Sequence, residues 1–329
     1  MKKIIITFVF VLGIIQPCFA YHIEVLQVSN IGAFDDAYNG FLSELAKNGI
    51  AEGKDLTITR HVIDAEADAS LWKKVGILLK IKTTSSKIVD AKPDLVLTIS
   101  TPATKYSMNK IISAGIPLVF TCVANPPLIG CPSVTQSGPG FTGATLYQDP
   151  LNFMVLAQMA KPDTKVIGLI HSDDDNAIAF AEETKRKSAQ LGITVLSKQV
   201  ERSDPIIPPA KELIEAGVDS FAIPLDAYYG FKDQQYGKDL FAIAAEHKLP
   251  VFAFANYDEK GALLYAGPDF KYIGELSGQQ AVKILKEGVK PEDLPILKQE
   301  DLIIYVDSNI AAELGVEFSE ALLKAAKQR

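Results

Sequence analysis

Two stretches of the chain carry the same order of apolar and polar positions, although more than a hundred residues separate them. IPLVFTCVAN begins at Ile116 and LPVFAFANYD at Leu249. Each is a branched apolar residue, a proline, an apolar run and an asparagine in a polar loop. The segments leading up to each copy match as well. In the first half IEVLQV reads as a short strand. Residues 35–47 read as a helix with Phe41, Leu42 and Leu45 on one face and Asn48-Gly49 as its stop. DLTITRHVI alternates as a strand, and a longer helix ends near Ala91. PDLVLTIS is a buried strand, and a helix follows the TPAT loop to Ser113. In the second half KVIGLI is a strand, and a helix with an acidic start closes on Gly192. ITVLSKQV, a helix near 210–216, VDSFAIPLD and the helix GKDLFAIAAEHK then precede LPVFAFAN. The order β-α-β-α-β-α-β occurs twice.

Strands that are apolar throughout and alternate with helices predict parallel sheets covered on both faces. Two such units predict an α/β protein of two doubly wound, Rossmann-like lobes. Each copy of the repeated phrase is then a central strand of its lobe, with its asparagine directed to the gap between lobes. In open sheets of this kind ligands sit beyond the carboxyl ends of the strands. The informative windows are therefore SNIGAFDD from Ser29, STPAT from Ser100, TCVANP from Thr121, HSDDDN from His171, PLDAYYG from Pro224 and FANYD from Phe254.

The 329 residues are enough for two domains, and 48% of them are apolar, as in a globular protein. A formal charge of −7 makes the chain a poor partner for nucleic acid or anionic lipid. Residues 1–20 have the form of an export leader: Lys2 and Lys3, an apolar run over 4–15, the break Gln16-Pro17, and Cys18-Phe19-Ala20 as a cleavage site. Cleavage after Ala20 and a periplasmic location follow as expectations. Gln16-Pro17 is not the small-residue context of lipid attachment at Cys18, and no later segment reads as a transmembrane helix. Cys122 and Cys131 remain in an oxidising compartment and bracket a Pro-Pro loop. A disulfide is expected there, with two free thiols as the alternative. If unstrained, a loop of that length would add about 2–3 kcal/mol.

Candidate chemistry lies in the windows. The TPAT loop opens a helix, so its N–H groups and hydroxyls suit a carboxylate, or else serve as a simple cap. Asp226 directly follows an apolar strand; it either pairs with a ligand ammonium or hydroxyl or caps the next segment. Asn256 and Asn125 offer amides, and Asn125 reads as a turn residue. Phe34, Tyr147, Tyr228, Tyr229 and Tyr257 place aromatic rings at the same ends, where a flat ligand would stack. His171 beside Asp173, Asp174 and Asp175 reads as a solvated acidic helix start, not a metal site. The chain has no HExxH, GxSxG or P-loop, and no nucleophile with a base. It is read as a non-enzyme, with no cofactor and no metal.

Taken in order, ITR after EGKDL, PDLVLTISTPAT, GIPLVFTCVANP, GPGFTGAT, GVDSFAIPLD, LPVFAFAN and EGVKPEDLPI resemble the substrate-binding proteins of ABC transporters with the type I periplasmic-binding fold. The narrower likeness is to the family that includes tryptophan- and tyrosine-binding lipoproteins, and it spans the chain after the leader. The resemblance implies two lobes joined by three crossovers, with residues 21–146 plus 260–295 as lobe one and 147–259 plus 296–329 as lobe two. It implies a monomer that closes on a small-molecule ligand and delivers it to ABC permease membrane subunits. The ligand is expected to be an amino acid with an aromatic or branched side chain. The alternative is a partner of an extracytoplasmic sensor, with a nucleoside or another small carboxylate as ligand. Carried onto this chain, the ligand-facing positions are Thr101, Thr104, Ser172, Asn176, Asp226 and Asn256; Phe34 joins them as a candidate from the aromatic rings at the strand ends. Leu225-Asp226-Ala227 departs from the Thr-Asp common in relatives, and Asn256 stands where they commonly carry an acid.

Overall fold

The computed structural model describes residues 21–65, 71–255 and 259–329. The expected leader over residues 1–20 lies outside the described residues, as do Asn256 and Tyr257. Among the described residues no helix is long and apolar enough to cross a membrane.

The first half builds β1 (Tyr21–Val28), α1 (Gly32–Lys47), β2 (Leu56–Ile63), α2 (Leu71–Ala91), β3 (Leu95–Ile99), α3 (Thr101–Ser113), β4 (Leu118–Val123) and β5 (Phe141–Thr145). The second half builds α4 (Pro150–Ala160), β6 (Val166–Ser172), α5 (Asp175–Ser188), β7 (Thr194–Val200), α6 (Ile207–Glu215), β8 (Ser220–Ile223), α7 (Gln235–Glu246), β9 (Val251–Ala253) and β10 (Leu264–Gly267). After these come α8 (Phe270–Glu287), β11 (Leu297–Lys298), β12 (Ile303–Val306), α9 (Ser308–Leu314), α10 (Glu320–Ala325) and β13 (Lys327–Gln328).

Two sheets result, ordered β11-β5-β4-β3-β1-β2 and β13-β12-β10-β9-β8-β6-β7. From its edge inward each half repeats one topology: second strand, first, third, fourth, fifth. The repeated phrase therefore occupies the same place in both, as β4 and β9. All described pairings are parallel except β10 with β12. Helices cover both faces of each sheet, which is why β3, β4 and β8 are buried along their whole length. In the first lobe Phe41, Leu45 and Ile273 fill one face, and Ile81, Ile88 and Ile111 the other. In the second lobe Leu213 and Leu240 pack on one face, and Phe153 and Ala181 on the other.

The chain crosses between sheets three times: after β5, after β10 and after β11. These positions correct the expected boundaries. Leu264–Gly267 pairs with β9 in the second sheet, so the segment 260–295 is divided near Pro268 and only α8 onward packs on the first lobe. Leu297–Lys298 in turn pairs with β5 in the first sheet. The Gln299 side chain ties the crossovers together. Its Oε1 accepts from the Asp269 N–H at 2.7 Å, while its carbonyl accepts from Gln148 Nε2 at 2.9 Å.

The two cysteines are free. This overturns the expected disulfide, and the backbone gives the reason. Register slips between Phe120 and Val123, and Cys122 takes a left-handed φ of 58°. Phe120 and Val123 face the same core as Cys131, whereas Cys122 is turned to the opposite face of the sheet with Val119. The bulge thus separates two thiols that simple alternation would have put on one side.

Candidate ligand-binding site

β1, β3, β4, β6, β8 and β9 all end at the gap between the lobes, and there a cavity of about 630 Å³ opens. Each of the six strand-end windows contributes to its wall. Ser29, Gly32 and Phe34 come after β1, Ser100, Thr101 and Pro102 after β3, and Cys122 and Ala124 from β4 and its end. Asp174 and Asn176 follow β6, Leu225 and Asp226 follow β8, and Ala255 follows β9. The lobes also touch directly: Ile31 packs on the cores of both, and Leu225 of the second lobe packs on the core of the first.

Asp226 is buried and held by three donors. Its Oδ1 accepts from the Ser172 hydroxyl at 2.9 Å and from the Tyr228 N–H at 3.0 Å. Its Oδ2 accepts from the Ser172 N–H at 2.7 Å. Both readings of the residue therefore apply: it caps the short turn at 227–230 and also faces the cavity. A carboxylate oxygen has two acceptor directions, and no described residue uses the second on Oδ2. Burial raises the pKa of Asp226, helped by the nearby Asp174 carboxylate, while the Ser172 and Tyr228 donors oppose the shift.

Two helices start at the cavity. α1 begins after Ile31, which offers no capping side chain, and Gly32 and Ala33 line the cavity. α3 begins after Ser100, whose hydroxyl accepts from the Ala103 N–H at 3.4 Å. Helix starts carry partial positive charge and free N–H groups, so both favour an anionic group. The apolar wall is Phe34, Leu146, Leu225 and Phe270, with Tyr305 at the hinge.

Phe34, Thr101, Asn176 and Asp226 are thus brought together at one cavity. Thr101 Oγ1 donates to Asn176 Oδ1 across the cleft at 3.3 Å. Ser172 is wholly buried and its hydroxyl donates to Asp226; it is not part of the cavity wall. Thr104 does not reach the cavity: α3 runs away from the cleft, and its second turn lies behind the first. The Thr104 hydroxyl donates to the Ser100 carbonyl at 2.9 Å and lies 2.8 Å from the Thr98 hydroxyl. Tyr228 and Tyr229 are core residues. The Tyr228 ring stacks on Tyr236 at 4.1 Å and its hydroxyl donates to the Asp204 carbonyl, while the Tyr229 hydroxyl donates to the Ile170 carbonyl. Tyr147 lines a small side pocket and donates to Glu183; Asn125 lines the same side pocket and opens a short turn.

Sequence reasoning passed over Arg202, Phe270 and Tyr305. Arg202 was within reach of the strand-end rule, since it follows the strand ITVLSKQV; its guanidinium donates to Asp174 at 2.7 Å inside the cavity. Phe270 opens α8 after the second crossover and Tyr305 lies within β12 after the third, so neither follows one of the strands of the repeat.

Comparison with known proteins agrees with this architecture. The curated tyrosine-binding protein of Clostridioides difficile (strain R20291) is 24% identical over 298 residues, 89% of this chain and 81% of that protein. A Streptococcus pneumonia ABC domain solved in complex with L-Trp superposes with a TM-score of 0.78 at 24% identity, covering 94% of this chain and 99% of that one. The ligand-free, open structure of a Clostridium difficile substrate-binding protein with adhesive properties gives a TM-score of 0.73 at the same identity and coverage. Residues 22–329 match the profile of the family described as ABC transporter substrate binding protein, and the chain belongs to that family.

Proposed function

We propose that the protein captures an amino acid with an aromatic or branched side chain between its lobes, outside the cytoplasmic membrane, and delivers it to the permease of an importer. The observation that carries this reading is Asp226: a buried carboxylate, fixed by three donors, in the wall of the cavity. A ligand ammonium supplies the matching charge-assisted donor. The helix starts of α1 and α3 suit the ligand carboxylate, and the wall of Phe34, Leu146, Leu225 and Phe270 suits an apolar side chain. The ligands in the names of the two relatives, tyrosine and L-Trp, are of this class.

The test is calorimetry of wild type and Asp226→Ala against an amino-acid panel, nucleosides and sugars. Removing Asp226 leaves a desolvated cation without its partner, at a cost of about 2–5 kcal/mol. That is about thirtyfold to several-thousandfold in affinity. Equal affinity of variant and wild type for the best ligand refutes the ammonium assignment, and a best ligand with no ammonium refutes the class.

A further inference from the structure

The run Asp173-Asp174-Asp175-Asn176 joins β6 to α5. Only Asp174 is spent within its own lobe. It caps α5 through the Asn176 N–H at 3.0 Å and accepts from Arg202 at 2.7 Å. Its neighbours reach the other lobe. Asp173 pairs with Lys74 of α2, Asp175 pairs with Lys105 of α3 at 2.5 Å, and Asn176 accepts from Thr101 of α3 at 3.3 Å. Three consecutive acids therefore split by role, the middle one inward and the flanking two across the cleft.

We propose that this turn is an electrostatic closure latch, with Lys74 and Lys105 as positioning residues that raise ligand affinity without touching ligand. The cations stand on α2 and α3 of the first lobe and the anions on the turn before α5 of the second. In an open arrangement all four groups are solvated separately. Their attraction exists only when the lobes meet, so it is a differential free energy between the two states, which is what shifts a population. The side chains are 21–54% exposed, so the pairs are partly screened but not dissolved in solvent. Exposed pairs shift an equilibrium by about 1.4-fold to fivefold each. Two such pairs shift it by about twofold to twenty-five-fold when they act independently. Because apparent affinity scales with the competent population, the latch sets the affinity for any ligand of the cavity. It rests on capture between lobes, not on the chemical class of the ligand.

The experiment uses the ligand-free chain lacking residues 1–20, so the identity of the ligand does not enter. Cys122 and Cys131 are buried, which lets dyes be placed selectively through Asn109→Cys on α3 and Lys211→Cys on α6, both exposed. Single-molecule energy transfer then reads the closed-to-open ratio. The double substitution Lys74→Ala/Lys105→Ala is expected to lower that ratio by about twofold or more in dilute salt. Raising salt to about 0.5 M should do the same to wild type, since the screening length falls to a few ångströms. The swap Lys74→Asp/Asp173→Lys should restore most of what Lys74→Ala alone removes. An unchanged ratio in the double variant overturns the latch. A lowered ratio that the swap does not restore overturns its electrostatic basis.

Discussion

Ser172 donates twice to one carboxylate: its N–H to Asp226 Oδ2 at 2.7 Å and its hydroxyl to Asp226 Oδ1 at 2.9 Å. The donor is the last residue of β6 and the acceptor lies just beyond β8, two adjacent strands of the second sheet. Strand pairing therefore fixes both ends of the contact, and the carboxylate is aimed before any ligand arrives. Ser172→Ala removes the hydroxyl bond and keeps the N–H bond. Its expected cost is about 1 kcal/mol of stability. Its effect on amino-acid affinity should be smaller than that of Asp226→Ala, about threefold to tenfold for a loss of about 1 kcal/mol. Denaturant unfolding and calorimetry on the same samples check both. A loss of affinity equal to that of Asp226→Ala would place Ser172 on the ligand itself.

The raised pKa of Asp226 gives stability a pH dependence of definite sign. Burial lifts its native value above the ordinary 3.8. Between the two values the native state holds a proton that the unfolded state has released. Asp226 therefore makes the fold less stable as pH rises through that window and more stable as pH falls through it. Asp226→Asn has no charge to titrate. The difference in unfolding free energy between wild type and Asp226→Asn should move in favour of wild type as pH falls from about 7 to about 4. Paired denaturant titrations at the two ends measure it; a difference that is flat, or that moves toward the variant, contradicts the assignment.

α1 and α8 approach until backbone meets backbone. A Cβ built on Gly40 would lie 1.9 Å from the Lys271 carbonyl oxygen, and one on Gly274 would lie 1.9 Å from that of Ala37. Neither neighbour is a side chain that can turn aside. Gly274→Ala must push the helices apart, at a cost of about 3 kcal/mol or more, lowering Tm by about 6–12 °C. Both helices begin at the cavity, α1 with Gly32 and Phe34 and α8 with Phe270. The same substitution should therefore weaken ligand binding: Gly274 does not line the cavity, but it lies one turn from Phe270 on the packing that spaces the two helices. Gly32→Ala has open space for its Cβ and serves as the control, with little change in Tm.

The repeated topology was legible because buried parallel strands leave contiguous apolar runs that a periodic reading finds. The site was legible at the level of strand ends: all six windows reach the cavity. Which side chain of a window faces the cavity was not. TPAT presents two threonines one turn apart, and only the direction of α3 decides that Thr101 reaches the cleft and Thr104 does not. YY after the aspartate reads equally as a stacking platform or as core, and the short turn at 227–230 folds both rings onto the α7 side. The bulge at Cys122 has no sequence signature, so a plausible disulfide pattern conceals two thiols on opposite faces. The crossovers were mislaid because β11 has two residues and β12 pairs antiparallel, neither long enough to show a period.

Gln299 joins all three crossovers at a single side chain and its carbonyl. It accepts from the Asp269 N–H on the second crossover, and its Nε2 donates to the Asp301 carbonyl on its own, the third. Gln148 of the first crossover donates to its carbonyl. Gln299→Ala leaves the carbonyl in place, so the bond from Gln148 survives, but it strips the Asp269 N–H of its acceptor. Losing both side-chain bonds of a buried amide should cost about 2 kcal/mol. Gln299→Glu keeps an acceptor for the Asp269 N–H and sets a second oxygen against the Asp301 carbonyl, so it should retain the first bond and lose the second. Amide exchange separates the two cases. The Asp269 amide is expected to lose protection in Gln299→Ala and to keep it in Gln299→Glu, even if both variants melt earlier than wild type. Equal protection in all three proteins would show that the second crossover is held by its own α8 cap, where the Asp269 carboxylate accepts from Lys271 and Tyr272, and not by Gln299.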